Sequence, residues 1–346
     1  MSYKLTLKEA QKLLDKLSLT YDIYAPKKLK AQGRYSDTDI IKYEKIKNID
    51  EIEYREKSTY PMKEVISPIQ QTIFYFTEDE YRESKVSTKP ILVFSRACDI
   101  NAIKVQTKIF IGNGGFVDYY YQRMYERIKF ILMECDFESD TCFCVSMNAN
   151  ITNNYSLAVR FEDDGIHFEV KDKEFTNYFK GYPHSSFSPK FVMENKTKVH
   201  IPEIKDRNML NKIKKSPMWK EYDKRCISCG ACTIACSTCT CFLTRDLIYG
   251  DNSEVGERRR LSSSCQIDDF ALVAGGGNYR TTAGDRMRYK VLHKFHDYKE
   301  RFKDSHMCVG CGRCIERCPE YISITATVEK LNKEIERIEK EEAKNV

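Results

Sequence analysis

Cys226-Ile-Ser-Cys229-Gly-Ala-Cys232-Thr-Ile-Ala-Cys236 is echoed, about 70 residues later, by Cys308-Val-Gly-Cys311-Gly-Arg-Cys314-Ile-Glu-Arg-Cys318-Pro319. Both runs have the spacing Cys-x2-Cys-x2-Cys-x3-Cys. Three thiolates two residues apart, with glycine after the second, wrap a tight loop round one cube of iron and sulfide. The fourth cysteine points away from that loop, and in two-cluster ferredoxins it ligates the other cluster. The spacing therefore predicts two [4Fe–4S] clusters with crossed ligation: Cys226, Cys229 and Cys232 with Cys318, and Cys308, Cys311 and Cys314 with Cys236. Structural zinc sites use paired Cys-x-x-Cys knuckles instead of this run.

Outward from the two runs, residues 218–325 read as a ferredoxin-like dicluster module whose large insert exceeds what a minimal ferredoxin needs. Within the insert, Gly275-Gly276-Gly277 lacks the strand-turn-helix frame and lysine of a phosphate-binding loop and reads as a close-packed loop beside a cluster. Residues 326–346 read as a charged helical tail with a thin apolar stripe at Leu331, Ile335 and Ile338. It is either a solvated helix end or a docking helix for a partner subunit. Residues 196–217, charged and bearing Pro202 and Pro217, read as a linker. Residues 1–195 read as an α/β domain. Leu5, Leu7, Ala10, Leu13, Leu14 and Leu17 recur at helical spacing over 4–18. Pro90–Phe94, a helical pattern over 101–110 and Ile128–Leu132 give the strand-helix-strand grammar of a parallel sheet. Tyr155–Arg160 and Ile166–Val170, joined across Asp163-Asp164-Gly165, read as a β-hairpin. The fold class expected is α+β.

Four further cysteines lie outside the module. Cys98 follows one expected strand and Cys135 ends the next, so neighbouring parallel strands would bring both to one carboxyl edge. Cys142 and Cys144 follow in the loop leaving that edge. Four soft ligands there suit a third [4Fe–4S] cluster, with zinc the lesser option; buried, inert thiols are the alternative. Cys239, Cys241 and Cys265 have no assigned role beyond packing near the clusters.

The composition fits this reading. The chain has 346 residues, 41% of them hydrophobic, which suits a globular protein of more than one domain. Its fifteen cysteines cannot all pair as disulfides. The opening residues predict no secretory signal, and no apolar run approaches membrane-spanning length. A cytoplasmic, anaerobic setting is expected. A net charge of +6 on 57 basic and 51 acidic residues is a well-solvated surface, and no nucleic-acid motif accompanies it. No catalytic triad, carboxylate pair, flavin or nicotinamide fingerprint stands out, and His293 and His296 read as packing or surface residues. The chain is expected to carry electrons without catalysing a reaction itself.

Several stretches together carry a family resemblance: Cys236-Ser-Thr-Cys239-Thr-Cys241-Phe242, Ser264-Cys265, Ala274-Gly275-Gly276-Gly277-Asn278-Tyr279-Arg280, His293-Lys294-Phe295 and the Cys308 run. The chain resembles the iron–sulfur subunits shared by anaerobic sulfite reductases and sulfhydrogenase-type nickel–iron hydrogenases, nearest to the A subunits of the sulfite reductases. The likeness extends more thinly through Arg96–Ile103 and Thr141-Cys142-Phe143-Cys144. Ser237 stands where many relatives carry proline. The resemblance implies an electron-transfer subunit fed by a flavin- and nicotinamide-binding subunit or a ferredoxin, delivering to a sirohaem subunit that reduces sulfite to sulfide. A nickel–iron hydrogenase is the alternative acceptor. A zinc-stabilised interaction protein is the reading from a different class.

Overall fold

The computed structural model describes residues 1–135, 139–251 and 253–344. Thr6 starts the first helix, Leu7–Thr20, through a reciprocal cap: its hydroxyl accepts from the Glu9 backbone N–H, and the Glu9 carboxylate accepts from the Thr6 N–H. Ala10, Leu13, Leu14 and Leu17 form its buried face. The residues just before it, where the helical pattern was expected to begin, form a strand instead.

The strands, in chain order, are β1 (Ser2–Leu5), β2 (Asp22–Leu29), β3 (Ile40–Lys45), β4 (Gln70–Phe76), β5 (Tyr81–Glu83) and β6 (Ile91–Ser95). They continue with β7 (Ile128–Met133), β8 (Leu157–Glu162), β9 (Gly165–Val170), β10 (Phe242–Ile248) and β11 (Gly256–Ser262). The larger sheet has the order β1-β9-β8-β7-β6-β2-β3. Its centre is parallel, with β6 running alongside β7 so that Ile91 faces Ile128 and Phe94 faces Ile131. Every residue of β6 is buried, as a parallel strand covered on both faces requires. Leu13 and Leu17 pack with Leu92 and Phe94 on one face. Ile100 and Ile103 of the helix Ala97–Phe110 pack with Val93 and Leu132 on the other. The strand-helix-strand unit and the β8–β9 hairpin are as the sequence predicts, and the mixed α+β class holds.

The chain forms two compact units, and they do not follow linear order. The first comprises Met1–Glu138, Ala149–Glu194 and Thr244–Leu261; the second comprises Ser139–Asn148, Asn195–Leu243 and Ser262–Val346. The expected boundaries at 195 and 218 are thus crossed in both directions. The middle of the module's insert, β10 and β11, builds the smaller sheet β10-β11-β4-β5 of the first unit, with Glu257 opposite Tyr75. The segment around Cys142 belongs to the second unit.

The expected linker and tail are not separate parts either. Residues 207–215 form a helix capped by the Asp206 carboxylate, which accepts from the Met209 N–H. That helix packs within the second unit against the long helix Ile324–Lys344. Leu331, Ile335 and Ile338 are buried there, so the apolar stripe of the tail is already covered by its own unit. Lys205–Glu339 (2.5 Å) and Lys212–Glu342 (2.7 Å) flank the contact. Residues 345 and 346 of the expected tail lie outside the described residues.

Candidate metal centre

The two cysteine runs adopt the same backbone. Ser228 and Gly310, each just before the second cysteine, have φ of 57° and 66°; Gly230 and Gly312, just after it, have 76° and 74°. At Gly230 and Gly312 the chain enters the short helices Ala231–Ile234 and Arg313–Glu316. The bonds that follow also repeat: Thr233 N–H to the Gly230 carbonyl and Ile315 N–H to that of Gly312, both 2.9 Å. Next come Cys236 N–H to Thr233 at 3.2 Å and Cys318 N–H to Ile315 at 3.3 Å. Each short helix therefore carries its fourth cysteine away from its own loop.

The destination of Cys318 is a cavity lined by Cys226, Cys229 and Cys232, together with Ile227, Gly230 and Lys290; Cys314 borders it as well. Cys236 is close enough to Cys308 and Cys314 for its charge to raise both thiols. Burial is the larger cause, and it pushes Cys308 up to about 12.

Whether this cavity suits a thiolate-ligated cluster can be tested on Lys290. The side chain is 3% exposed, yet its Nζ has no hydrogen-bond partner among the described residues. An isolated buried ammonium is costly. Burial lowers its proton affinity, but the thiolates of Cys232, Cys239, Cys314 and Cys265 more than offset that. A [4Fe–4S] cluster on four thiolates is an anion, and it fits.

Three neighbouring groups escape a reading based on cysteine spacing alone. Lys294, also buried, donates from Nζ to Cys236 Sγ at 3.2 Å and to Thr238 Oγ1 at 3.0 Å. Ser237 Oγ donates to Cys311 Sγ at 3.5 Å and accepts from Arg313 Nη1 at 2.9 Å. Ser237 thus links the buried Arg313 guanidinium to the sulfur of Cys311. Lys290 and Lys294 had a readable signal. Met287, Lys290, Val291 and Lys294 recur at helical spacing, so both charges stand on the buried face of their helix.

The remaining cysteines are divided between the units. Cys98 lies in the first turn of Ala97–Phe110 and Cys135 follows β7, both in the first unit. Cys142 and Cys144 lie in the second, against the second cysteine run. Phe143 N–H donates to the Gly310 carbonyl at 2.8 Å, and Cys142 Sγ to that of Cys311 at 3.6 Å. Cys144 Sγ donates to Asn195 Oδ1 at 3.5 Å. Cys241 is hydrogen-bonded to Cys265, and that bond, with Lys290 and Gln266 assisting, holds the Cys265 thiol below its usual range. His293 stacks on Tyr289, and burial holds it down to about 4, as a packing residue would be. The triple glycine corrects an expectation: it is an exposed turn closed by Val273 N–H to the Gly277 carbonyl at 2.9 Å. A Cβ at Gly275 or Gly276 would meet nothing within 4 Å, so these residues serve their φ of 88° and 80°, not close packing.

Comparison with known proteins agrees with this geometry. The 4Fe-4S dicluster domain family matches residues 225–322. The class is an iron–sulfur electron-transfer protein holding two [4Fe–4S] clusters. Over 304 residues the chain is 28% identical to the beta subunit of sulfhydrogenase 2 from Pyrococcus furiosus, covering 81% of this chain and 86% of that one. No solved structure matches significantly. Among the described residues no helix is long and apolar enough to cross a membrane.

Proposed function

We propose that this chain is the electron-transferring subunit of a sulfhydrogenase-type complex. It would take electrons from a flavin- and nicotinamide-binding subunit or a ferredoxin and pass them to a nickel–iron hydrogenase subunit. The observation that carries the relay is the cavity shared by Cys226, Cys229, Cys232 and Cys318. It supports crossed ligation, with Cys308, Cys311, Cys314 and Cys236 as the second set. When bound, each cluster accepts and releases one electron. The chain's own residues hold the iron, keep Cys236 and Cys311 of the second set from water and supply positive charge and hydrogen bonds to the sulfurs.

The likeness to the beta subunit of a sulfhydrogenase favours the hydrogenase partner. A sirohaem sulfite reductase subunit is the second reading, since the run Cys236-Ser-Thr-Cys239-Thr-Cys241-Phe242 and its companion motifs resemble a module that both kinds of complex share. The experiment is anaerobic purification of the chain with its natural partners. Nickel in the complex is expected, together with broad iron–sulfur absorption on this chain. Sirohaem absorption in place of nickel would replace the first reading with the second. Zinc with no visible absorption would remove both.

A further inference from the structure

The helix Ala283–Leu292 continues through a π-helical turn at His293–Asp297, and it carries Lys290 and Lys294 four residues apart. The two side chains are 3% and 4% exposed. Among the described residues neither forms an ion pair with Asp or Glu. Lys290 borders the cavity lined by Cys226, Cys229, Cys232 and Cys318, and its Nζ has no hydrogen-bond partner there. Lys294 reaches Cys236, the fourth member of the other set, at 3.2 Å. One helix face thus offers one buried cation to each ligand set, with Cys239 and Cys265 as further sulfur neighbours and Cys314 also bordering the cavity at Lys290.

We propose that Lys290 and Lys294 are the paired counter-charges of the two clusters and set their reduction potentials, Lys290 for the Cys226-Cys229-Cys232-Cys318 set and Lys294 for the Cys308-Cys311-Cys314-Cys236 set. This rests on the two-cluster reading and on crossed ligation. A thiolate-ligated cluster becomes more negative by one charge on reduction. A fixed cation at close range therefore favours the reduced form, and in a buried site neither water nor salt screens it much. Lys290 acts through charge alone, whereas Lys294 adds a hydrogen bond to sulfur. Lysine suits the task as a compact point charge that needs no planar, bidentate partner. These are positioning residues: they stabilise the reduced state without carrying the electron.

The test is an anaerobic redox titration of the full-length chain, followed by electron paramagnetic resonance, on wild type and on Lys290→Met, Lys290→Arg, Lys294→Met and Lys294→Arg. Cys229→Ala and Cys311→Ala assign the two signals. At the wild-type midpoint, Lys290→Met should lower the reduced-to-oxidised ratio of its own cluster about tenfold, a downward shift of about 59 mV for one electron. The other cluster should move far less. Lys294→Met should do the converse, the arginine variants should recover most of each shift, and the shifts should persist in high salt. Loss of about four irons on substitution by Met but not by Arg would also support the role, since charge would then be what retains the anionic cluster. Full iron with unmoved midpoints would overturn it, as would equal iron loss for Met and Arg, which marks a role in shape alone. A wild-type chain without iron would overturn the two-cluster reading itself, a failure distinguishable from the others.

Discussion

At the scale of single residues, the site depends on backbone that only a few residue types tolerate. Gly312 has a φ of 74°, and a Cβ there would lie 2.4 Å from the Thr141 carbonyl oxygen. Gly312→Ala combines an unfavourable left-handed conformation with a clash against backbone, which cannot move aside as a side chain can. It should cost the chain about four of its irons, read by metal analysis, while the signal assigned to Cys229 survives. Crossed ligation is tested at the same scale. Cys318→Ala and Cys229→Ala should perturb one paramagnetic signal, and Cys236→Ala and Cys311→Ala the other. If Cys318→Ala instead altered the signal that Cys311→Ala alters, each run would hold its cluster alone.

At the scale of elements, the tail helix Ile324–Lys344 reads differently in its sequence and in its packing. Its stripe of Leu331, Ile335 and Ile338 invites a partner when the helix is considered alone, yet the helix Arg207–Lys215 of the same unit lies beside it. The buried Tyr222 hydroxyl donates to Thr327 Oγ1 at 2.8 Å, tying a third helix to it. Leu331 is 0% exposed, so Leu331→Ala should destabilise the second unit by about 2–5 kcal/mol, measured by denaturant unfolding. The flanking Lys212–Glu342 pair is largely solvated, and Lys212→Met should change stability by less than about 1 kcal/mol. Truncation after Thr325 should expose the face of Arg207–Lys215 and lower iron retention even without any partner present. Unchanged stability and iron after that truncation would show the helix to be dispensable to its own unit.

At the scale of the whole molecule, iron stoichiometry is the informative number. The two cysteine runs account for about eight irons per chain in anaerobically prepared protein. A count near twelve would assign a further cluster to Cys98, Cys135, Cys142 and Cys144. In that case Cys142→Ala with Cys144→Ala should return the count to about eight. A count of eight both before and after the double substitution would leave those four thiols without iron. Within the second unit, the Cys226-Cys229-Cys232-Cys318 set is the more exposed: Cys229 and the neighbouring Ile227 face solvent, whereas Cys236 and Cys311 of the other set are buried. Ferricyanide-type surface oxidants should therefore bleach the signal assigned to Cys229 before the one assigned to Cys311, in stopped-flow absorbance.

Sequence alone determined what depends on short spacing. Thiolates two residues apart with glycine between them can close only small loops, so the two runs and their duplicated form were legible. The apolar run Ile91–Phe94 followed by a helical pattern was legible for the same reason, since strand and helix periods are local properties. Tertiary structure decided what depends on contacts between distant residues. The middle of the insert pairs with β4, more than 150 residues earlier in the chain, through hydrogen bonds that no local pattern encodes. The tail's stripe has its partner in a segment that looked like a linker: its helix is amphipathic, but short and charged, and with only Met209 and Ile213 buried it offers few apolar residues from which to read a pattern. The roles of Lys290, Lys294 and Ser237 follow from burial beside sulfur. Helical spacing could place Lys290 and Lys294 on a buried face but not say that a thiolate waits there; that is settled when Cys236 and Lys294, 58 residues apart, are folded to 3.2 Å.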